Sequence, residues 1–194
     1  MKKPDIILIG GGGHCKSCID VIELEDKYKI AGIIDLPDKV GSKILTYSII
    51  GTDEDLEELS NLYSNFFITI GHIRTAKKRI KLFDKLLFLN VNIPTIISPL
   101  AYVSGYATIG KGTIIMHHAL VNANATVGDN CILNTKALVE HDSRIENHCH
   151  ISTGSIVNGG VRIGQGTFYG SAAVCKENIE IPENSFIRAN SIVI

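Results

Sequence analysis

The chain has 194 residues and carries 19 Lys and Arg against 20 Asp and Glu, a net charge of −1 with histidine neutral. That balance excludes a basic surface built for nucleic acid or for an anionic membrane, and the length admits one large or two small domains. With 45% hydrophobic and 20% charged residues, the composition is that of an ordinary soluble protein. The opening Met1-Lys2-Lys3-Pro4-Asp5 has the lysines of a secretory leader, but the apolar stretch at 6–9 is too short for its hydrophobic region. A cytoplasmic protein, with no membrane partner, is expected.

Residues 5–9 read as a short buried strand, followed by Gly10-Gly11-Gly12-Gly13-His14 and a helical pattern over 15–24. A second strand over 30–34 ends at Asp35. A helix over 53–62 has Thr52 or Asp53 as its N-cap, and a third strand over 66–70 closes at Gly71. A last helix over 76–89 carries Arg79, Phe83 and Leu87 at spacings of four. Strands alternating with helices predict a small Rossmann-like parallel sheet. Pro94 marks the hand-over to a different texture, giving two units, 1–92 and 93–194, joined without a flexible linker.

From Ile97 every sixth residue is apolar through Ile109, Val121, Leu133, Ile145, Val157, Tyr169, Ile181 and on to Val193, and the register never slips. A small side chain sits four residues after most of them, as at Ala101, Ala107, Ala119, Cys131 and Cys149. A sustained period of six is neither the 2 of a flat strand nor the 3.6 of a helix, and it predicts a parallel β-helix of hexapeptide repeats. Three hexapeptides make one triangular coil, so residues 18 apart stack, Cys131 over Cys149 among them. No coil buries its apolar face alone; its neighbours supply the core.

The five cysteines divide in two. Cys131, Cys149 and Cys175 occupy inward repeat positions and are expected to pack as reduced thiols. Cys15 and Cys18 form a lone C-x-x-C, open to a packing, redox or half-zinc-site reading.

Two segments carry chemistry. Four glycines between a strand and a helix let backbone approach a phosphate at the positive end of the helix, and an acid ending the next strand stands where a ribose or base would be met. A G-x-G-x-x-G pattern laid on Gly10 and Gly12 fails at Cys15, which favours a nucleotide diphosphate over a dinucleotide. A tight turn with no ligand is the plainer alternative. In the repeats, His117, His118, His141, His148 and His150 all avoid the inward positions. Glu140-His141-Asp142 is the densest polar cluster, and a histidine beside a carboxylate makes a general base. Adjacent residues of a strand point opposite ways, so Asp142 serves His141 only where the chain bends. A zinc reading of His141, His148 and His150 matches no familiar ligand spacing.

Taken in order, Ile9-Gly10-Gly11-Gly12-Gly13-His14, Ile70-Gly71, Asn134, Glu140-His141-Asp142, His150 and Gly159-Gly160 form a set. With the hexapeptides, it resembles the left-handed β-helix acetyltransferases that modify bacterial surface sugars. These include the PglD-like enzymes that N-acetylate nucleotide-linked 4-amino-sugars and the NeuD-like sialic acid O-acetyltransferases. The resemblance covers nearly the whole chain. It implies a homotrimer with acetyl-CoA between neighbouring β-helices, no metal, His141 as catalytic base and Asp142 as the acid that raises its basicity. It implies coenzyme contacts at His150, Gly159, Ser171 and Ala189. It places Gly12, Gly13 and His14 at the nucleotide phosphates, Asp35 near the base and Asn134 near the acceptor sugar.

The chain departs from these relatives in three places. Many have Glu where Asp142 stands. Gly71-His72-Ile73-Arg74-Thr75 replaces a Gly-Asn-Asn type segment and looks more like members grouped with nonulosonate synthesis. The chain ends Asn190-Ser191-Ile192-Val193-Ile194, where relatives carry a Gly-x-Pro-Ala-Lys tail. The expected reaction is direct transfer to a neutral amine, with His141 taking the proton and a backbone N–H or His150 meeting the developing oxyanion. O-acetylation of a sialic acid, or a non-catalytic sugar-nucleotide-binding scaffold, are the alternatives.

Overall fold

The computed structural model describes residues 2–194. The first unit runs β1 (Asp5–Ile9), α1 (Gly13–Glu25), β2 (Lys29–Ile34), β3 (Lys43–Ile44), β4 (Tyr47–Gly51), α2 (Leu56–Leu62), β5 (Asn65–Ile68) and α3 (Lys77–Phe88). The sheet order is β3-β4-β2-β1-β5. β1 pairs in parallel with β2 and β5, β2 in parallel with β4, and β3 turns back antiparallel on β4. The segment between 36 and 51 gave no expected element. It folds into a short 3-10 turn, Pro37–Lys39, and then β3 and β4. In β4 only Ile49 and Gly51 are buried, so its apolar signal is too thin to read beside the glycines that flank it. α1 starts two residues before the expected position because Gly12 already stands as its N-cap. α2 starts three residues late, since Asp55 accepts the Thr52 N–H at 2.7 Å and makes 52–55 a turn.

The second unit is a left-handed parallel β-helix of seventeen two-residue strands, from β6 (Ile96–Ile97) to β22 (Ile192–Val193). β6, β7 (Tyr102–Val103) and β8 (Thr108–Ile109) begin three parallel sheets, the faces of a triangular prism. Every strand but the last three pairs with the one 18 residues on, as in Val121 with Val139 and Val139 with Val157. The second residue of each strand points into the shaft, where Val121, Leu133, Val139, Ile151, Val157 and Ile163 are wholly buried. Tyr169 fills one such position and donates its hydroxyl to the Ile156 carbonyl at 3.2 Å. Cys131 and Cys149 stack as expected, their thiols donating to the Glu146 and Gly164 carbonyls at 3.1 and 3.2 Å.

The first residue of each strand points outward and gives each face a character. On one face these residues are Ile96, Ile114, Ile132, His150, Phe168 and Phe186. Helix α1 covers its beginning: Cys15, Cys18, Ile19 and Ile22 pack with Ile96, Ile114 and Ile132 in one core cluster. Burying each such aliphatic side chain stabilises the contact by roughly 1.5–3 kcal/mol. A second face presents Tyr102, Leu120, Leu138, Ile156, Val174 and Ile192. A third presents Thr108, Thr126, Arg144, Arg162 and Glu180. These are, in turn, a covered, an apolar and a charged face.

Polar clamps reinforce the seam. Asp20 of α1 bonds His117 Nε2 at 2.7 Å, and His117 Nδ1 accepts the Ser98 hydroxyl at 2.7 Å. β1 has neighbours reached by chain crossings in opposite directions, so the sheet's switch point lies at the carboxyl ends of β1 and β5. The loops leaving those two ends, at Gly10–Gly13 and Ile70–His72, both face the β-helix.

Candidate active site

The glycine loop separates into two pairs. Gly10 has φ +103°, and a Cβ there would strike the Ile70 side chain; at Gly11 a Cβ would come within 2.9 Å of the Asp35 carboxylate. These two make the turn. Gly12 and Gly13 have neither strain nor a neighbour within 4 Å of a built Cβ. Their bareness opens space at the amino end of a 13-residue helix, whose free N–H groups and partial positive charge suit an anion. Asp35 accepts the Gly11 N–H at 3.0 Å, the Leu36 N–H at 2.9 Å and Lys39 Nζ at 2.9 Å. Partial burial opposes its ionisation, but these donors prevail and hold the carboxyl below its usual range. Asp35 thus fixes the loop it stands beside.

Next to the loop is a groove of about 750 Å³ whose walls include Gly13, His14, Gly71, His72, Asn134 and His150. The structure therefore brings together four of the sequence-derived candidates, Gly13, His14, Asn134 and His150, from both units. It adds His72, which sequence reasoning noted only as part of a divergent segment. The signal was its position: it follows β5, at the switch point. His150 Nδ1 lies 2.7 Å from the His72 carbonyl, which can only accept, so Nδ1 carries the proton. Nε2 is left as a lone-pair acceptor, 3.3 Å from Asn134 Nδ2. Burial, then the charge of Arg79, lowers His14 to about 3. Burial, then the neighbouring His150, lowers His72 to about 3. Burial lowers His150 to about 4, against the opposing bond to the His72 carbonyl. All three imidazoles are neutral near pH 7. In this tautomer the His150 Nε2 facing the groove is an acceptor, and the Nδ1 proton is engaged by the His72 carbonyl.

His141 is in a different electrostatic setting. It stands at the corner between the apolar and charged faces, 62% exposed along its side chain. Asp142 takes φ +61°, the bend that turns its carboxylate back onto His141 Nδ1 at 2.7 Å. The other carboxylate oxygen accepts Asn124 Nδ2 at 2.7 Å. The bond from Asp142 raises His141 above the ordinary imidazole value, and the bonds from Asn124 and His141 lower Asp142. With Nδ1 so engaged, Nε2 is the free base. The ring lies over Gly159, where a Cβ would come within 2.9 Å of Cε1 and 3.0 Å of Nε2. A hollow of about 390 Å³ opens beside it, lined by Glu140, Gly159, Gly160 and Asn178 among others.

Residues 5–86 match the family model described as PglD N-terminal domain. A mutant of GDP-perosamine N-acetyltransferase from Caulobacter crescentus, solved in complex with CoA and GDP-perosamine, superposes with a TM-score of 0.92 at 30% identity. The match covers 98% of this chain and 88% of that one. The chain belongs to the PglD-like family of sugar acetyltransferases. The acetyltransferase domain of PglB from Neisseria gonorrhoeae, in complex with acetyl coenzyme A, matches with a TM-score of 0.86 at 26% identity, covering 99% and 93% of the two chains. An uncharacterized protein, L142, of Acanthamoeba polyphaga mimivirus is 33% identical over 107 residues, which is 55% of this chain and only 20% of that protein.

Within this PglD-like chain the remaining candidates occupy separate places. Gly159 stands one coil beyond His141 on the same corner, as the Gly160 N–H to His141 carbonyl bond shows. Ser171 and Ala189 belong to the corner between the covered and apolar faces, where Asn134 also lies, in a column with Thr135 and Thr153. Ser171 shares a 2.9 Å bond with Ser152, and Ala189 is exposed. The strands of the apolar face separate the two corners, so one PglD-like subunit does not bring His141 onto its own groove. Among the described residues no group of three or more histidine, cysteine or acidic side chains is placed to hold a metal ion, and no helix is long and apolar enough to cross a membrane.

Proposed function

We propose that this protein transfers the acetyl group of acetyl-CoA to the amine of a nucleotide-linked amino sugar, and that it works as a homotrimer. The observation that carries the reading is the His141–Asp142 pair, its free Nε2 open to an adjoining hollow, on a chain whose relatives hold CoA and an amino-sugar nucleotide. The bare helix end at Gly12 and Gly13, with His14 beside it, would take the diphosphate, His72 and Asn134 would face the sugar, and His150 would meet the acetyl-CoA. The amine attacks the thioester carbonyl as His141 Nε2 removes its proton. The C–N bond forms, the C–S bond breaks, and CoA leaves as the thiolate, which the proton held on His141 can neutralise. All five cysteines are buried, which supports direct transfer without an acetylated thiol.

The trimer is supported by the apolar face. Tyr102, Ile156 and Ile192 are 60%, 36% and 76% exposed in one copy, in line with Leu120, Leu138 and Val174. A continuous apolar sheet face of this kind marks a contact surface. A closed ring that turns three such faces inward sets the His141 corner of one copy beside the Asn134–Ser171–Ala189 corner of the next. This arrangement supplies the base that a groove lacks on its own.

The test is thiol release from acetyl-CoA with UDP-, GDP- and dTDP-linked 4-amino-4,6-dideoxy sugars and with free and CMP-linked sialic acids. Turnover with one amino-sugar nucleotide supports the reading and names its base. Turnover only with a sialic acid would move the chemistry to a hydroxyl. Silence throughout, without acetyl-CoA binding, would leave a scaffold.

A further inference from the structure

Arg79 is 1% exposed, and the oxygens it bonds are uncharged. Its Nη1 donates to the carbonyls of Ile68 at 3.1 Å and Ile70 at 2.5 Å, where the chain leaves β5. Its Nη2 donates to the Asn130 carbonyl at 3.2 Å and to Asn130 Oδ1 at 2.6 Å. Asn130 is wholly buried at a β-helix corner, with φ +54°, and its Nδ2 lies 3.0 Å from His148 Nδ1. One guanidinium thus joins the sheet's switch point to the prism. A desolvated cation without a carboxylate is a costly way to hold two surfaces together, and apolar packing would do it at less cost. What the fork adds is direction: planar donors fix four acceptors at once, which a lysine cannot do.

The directed end of this arrangement is the groove. Two residues beyond Ile70, the His72 carbonyl holds the proton of His150 Nδ1. Two residues before His150, His148 is tied to Asn130. The His72 segment that bonds His150 and the strand segment that leads into His150 therefore meet at Arg79.

We infer that Arg79 is a positioning residue for acetyl transfer, clamping the His72 loop against the β-helix so that His150 keeps an unprotonated Nε2 turned to the groove. The inference rests on the acetyltransferase reading for its consequence but not for its geometry. Burial and the charge of Arg79 act in the same direction on the surrounding imidazoles, keeping them neutral.

The experiment compares wild type with Arg79→Lys, which keeps the charge and loses the fork, and Asn130→Gly, which keeps the guanidinium and removes its side-chain acceptor. Imidazole nitrogen NMR shifts report the tautomer of His150 without any substrate. Wild type should show the single Nδ1–H form, and both variants a mixture. In the assay above, kcat/KM for the amino-sugar nucleotide should fall about 10²-fold in Arg79→Lys, the loss expected of a displacement near 1 Å. A folded variant with the wild-type tautomer and wild-type kcat/KM overturns the assignment. So does failure of both variants to fold, which would make Arg79 a folding residue only. A wild-type protein with the fixed tautomer but no turnover sinks the acetyltransferase reading and leaves the clamp standing.

Discussion

At the scale of single residues, the two histidines of the site differ through their surroundings. His150 is buried, bonded to a carbonyl and held neutral; His141 is exposed, bonded to a carboxylate and made more basic. A base must be unprotonated to act, so kcat/KM should rise with pH through a value above the ordinary imidazole range. Asp142→Asn removes the carboxylate that raises His141, so that acid limb should move to lower pH while the plateau falls. A pH–rate profile whose limb stays in place would remove Asp142 from its role. His141→Ala should lower kcat by roughly 10²–10⁴-fold, the usual worth of a general base. Gly159→Ala is a subtler probe. The new Cβ would press on the His141 ring from below, at 2.9 Å from Cε1. A loss of about 10²-fold in kcat with an unchanged melting temperature is expected, since geometry and not chemistry is altered. Full activity would mean that the ring does not rest on Gly159 during turnover.

Secondary-structure elements differed in how legible they were. The coils of the β-helix and their inward positions could be read from the sequence, because each position of a hexapeptide maps onto one place in the prism; the left hand came only with the family resemblance. The apolar residue is the shaft, and the bend at Asp142 is the corner that lets neighbouring side chains face each other. β3 and β4 were hidden, since an edge strand with two buried residues has no periodic signal. Arg79 and His72 were hidden for another reason. Their partners, Asn130 and His150, lie 51 and 78 residues away, and no local pattern records such a contact. The one local hint was a cation among the buried residues of α3, with Leu82, Phe83 and Leu86. The map of shaft and faces also predicts stability. Ile151→Ala, inside the shaft, should destabilise by about 2–5 kcal/mol. Arg162→Ala, on the charged face, removes an exposed pair with Glu146 and should leave stability nearly unchanged. Denaturant melts of the two variants would check the ordering; equal losses would mean that the inward and outward positions have been confused.

For the whole molecule, the separation of His141 from the groove has a consequence that single-chain enzymes lack. His141→Ala spoils the base corner and spares the groove; His14→Ala spoils the groove and spares the base corner. If each site joins the base corner of one copy to the groove of the next, a mixed trimer contains some sites built wholly from intact halves. Random assortment of equal amounts should restore about one quarter of the sites, because two independent halves must both be sound in a closed ring. The two proteins would be co-unfolded, refolded together and assayed by thiol release, with each variant refolded alone as the baseline. If base and groove instead served each other within one chain, every copy in the mixture would carry one damaged half, and activity would stay at the baseline whatever the ratio. Recovery that peaks at equal proportions and falls on either side would place the reaction between subunits, and would make the apolar row from Tyr102 to Ile192 the contact that assembles the site.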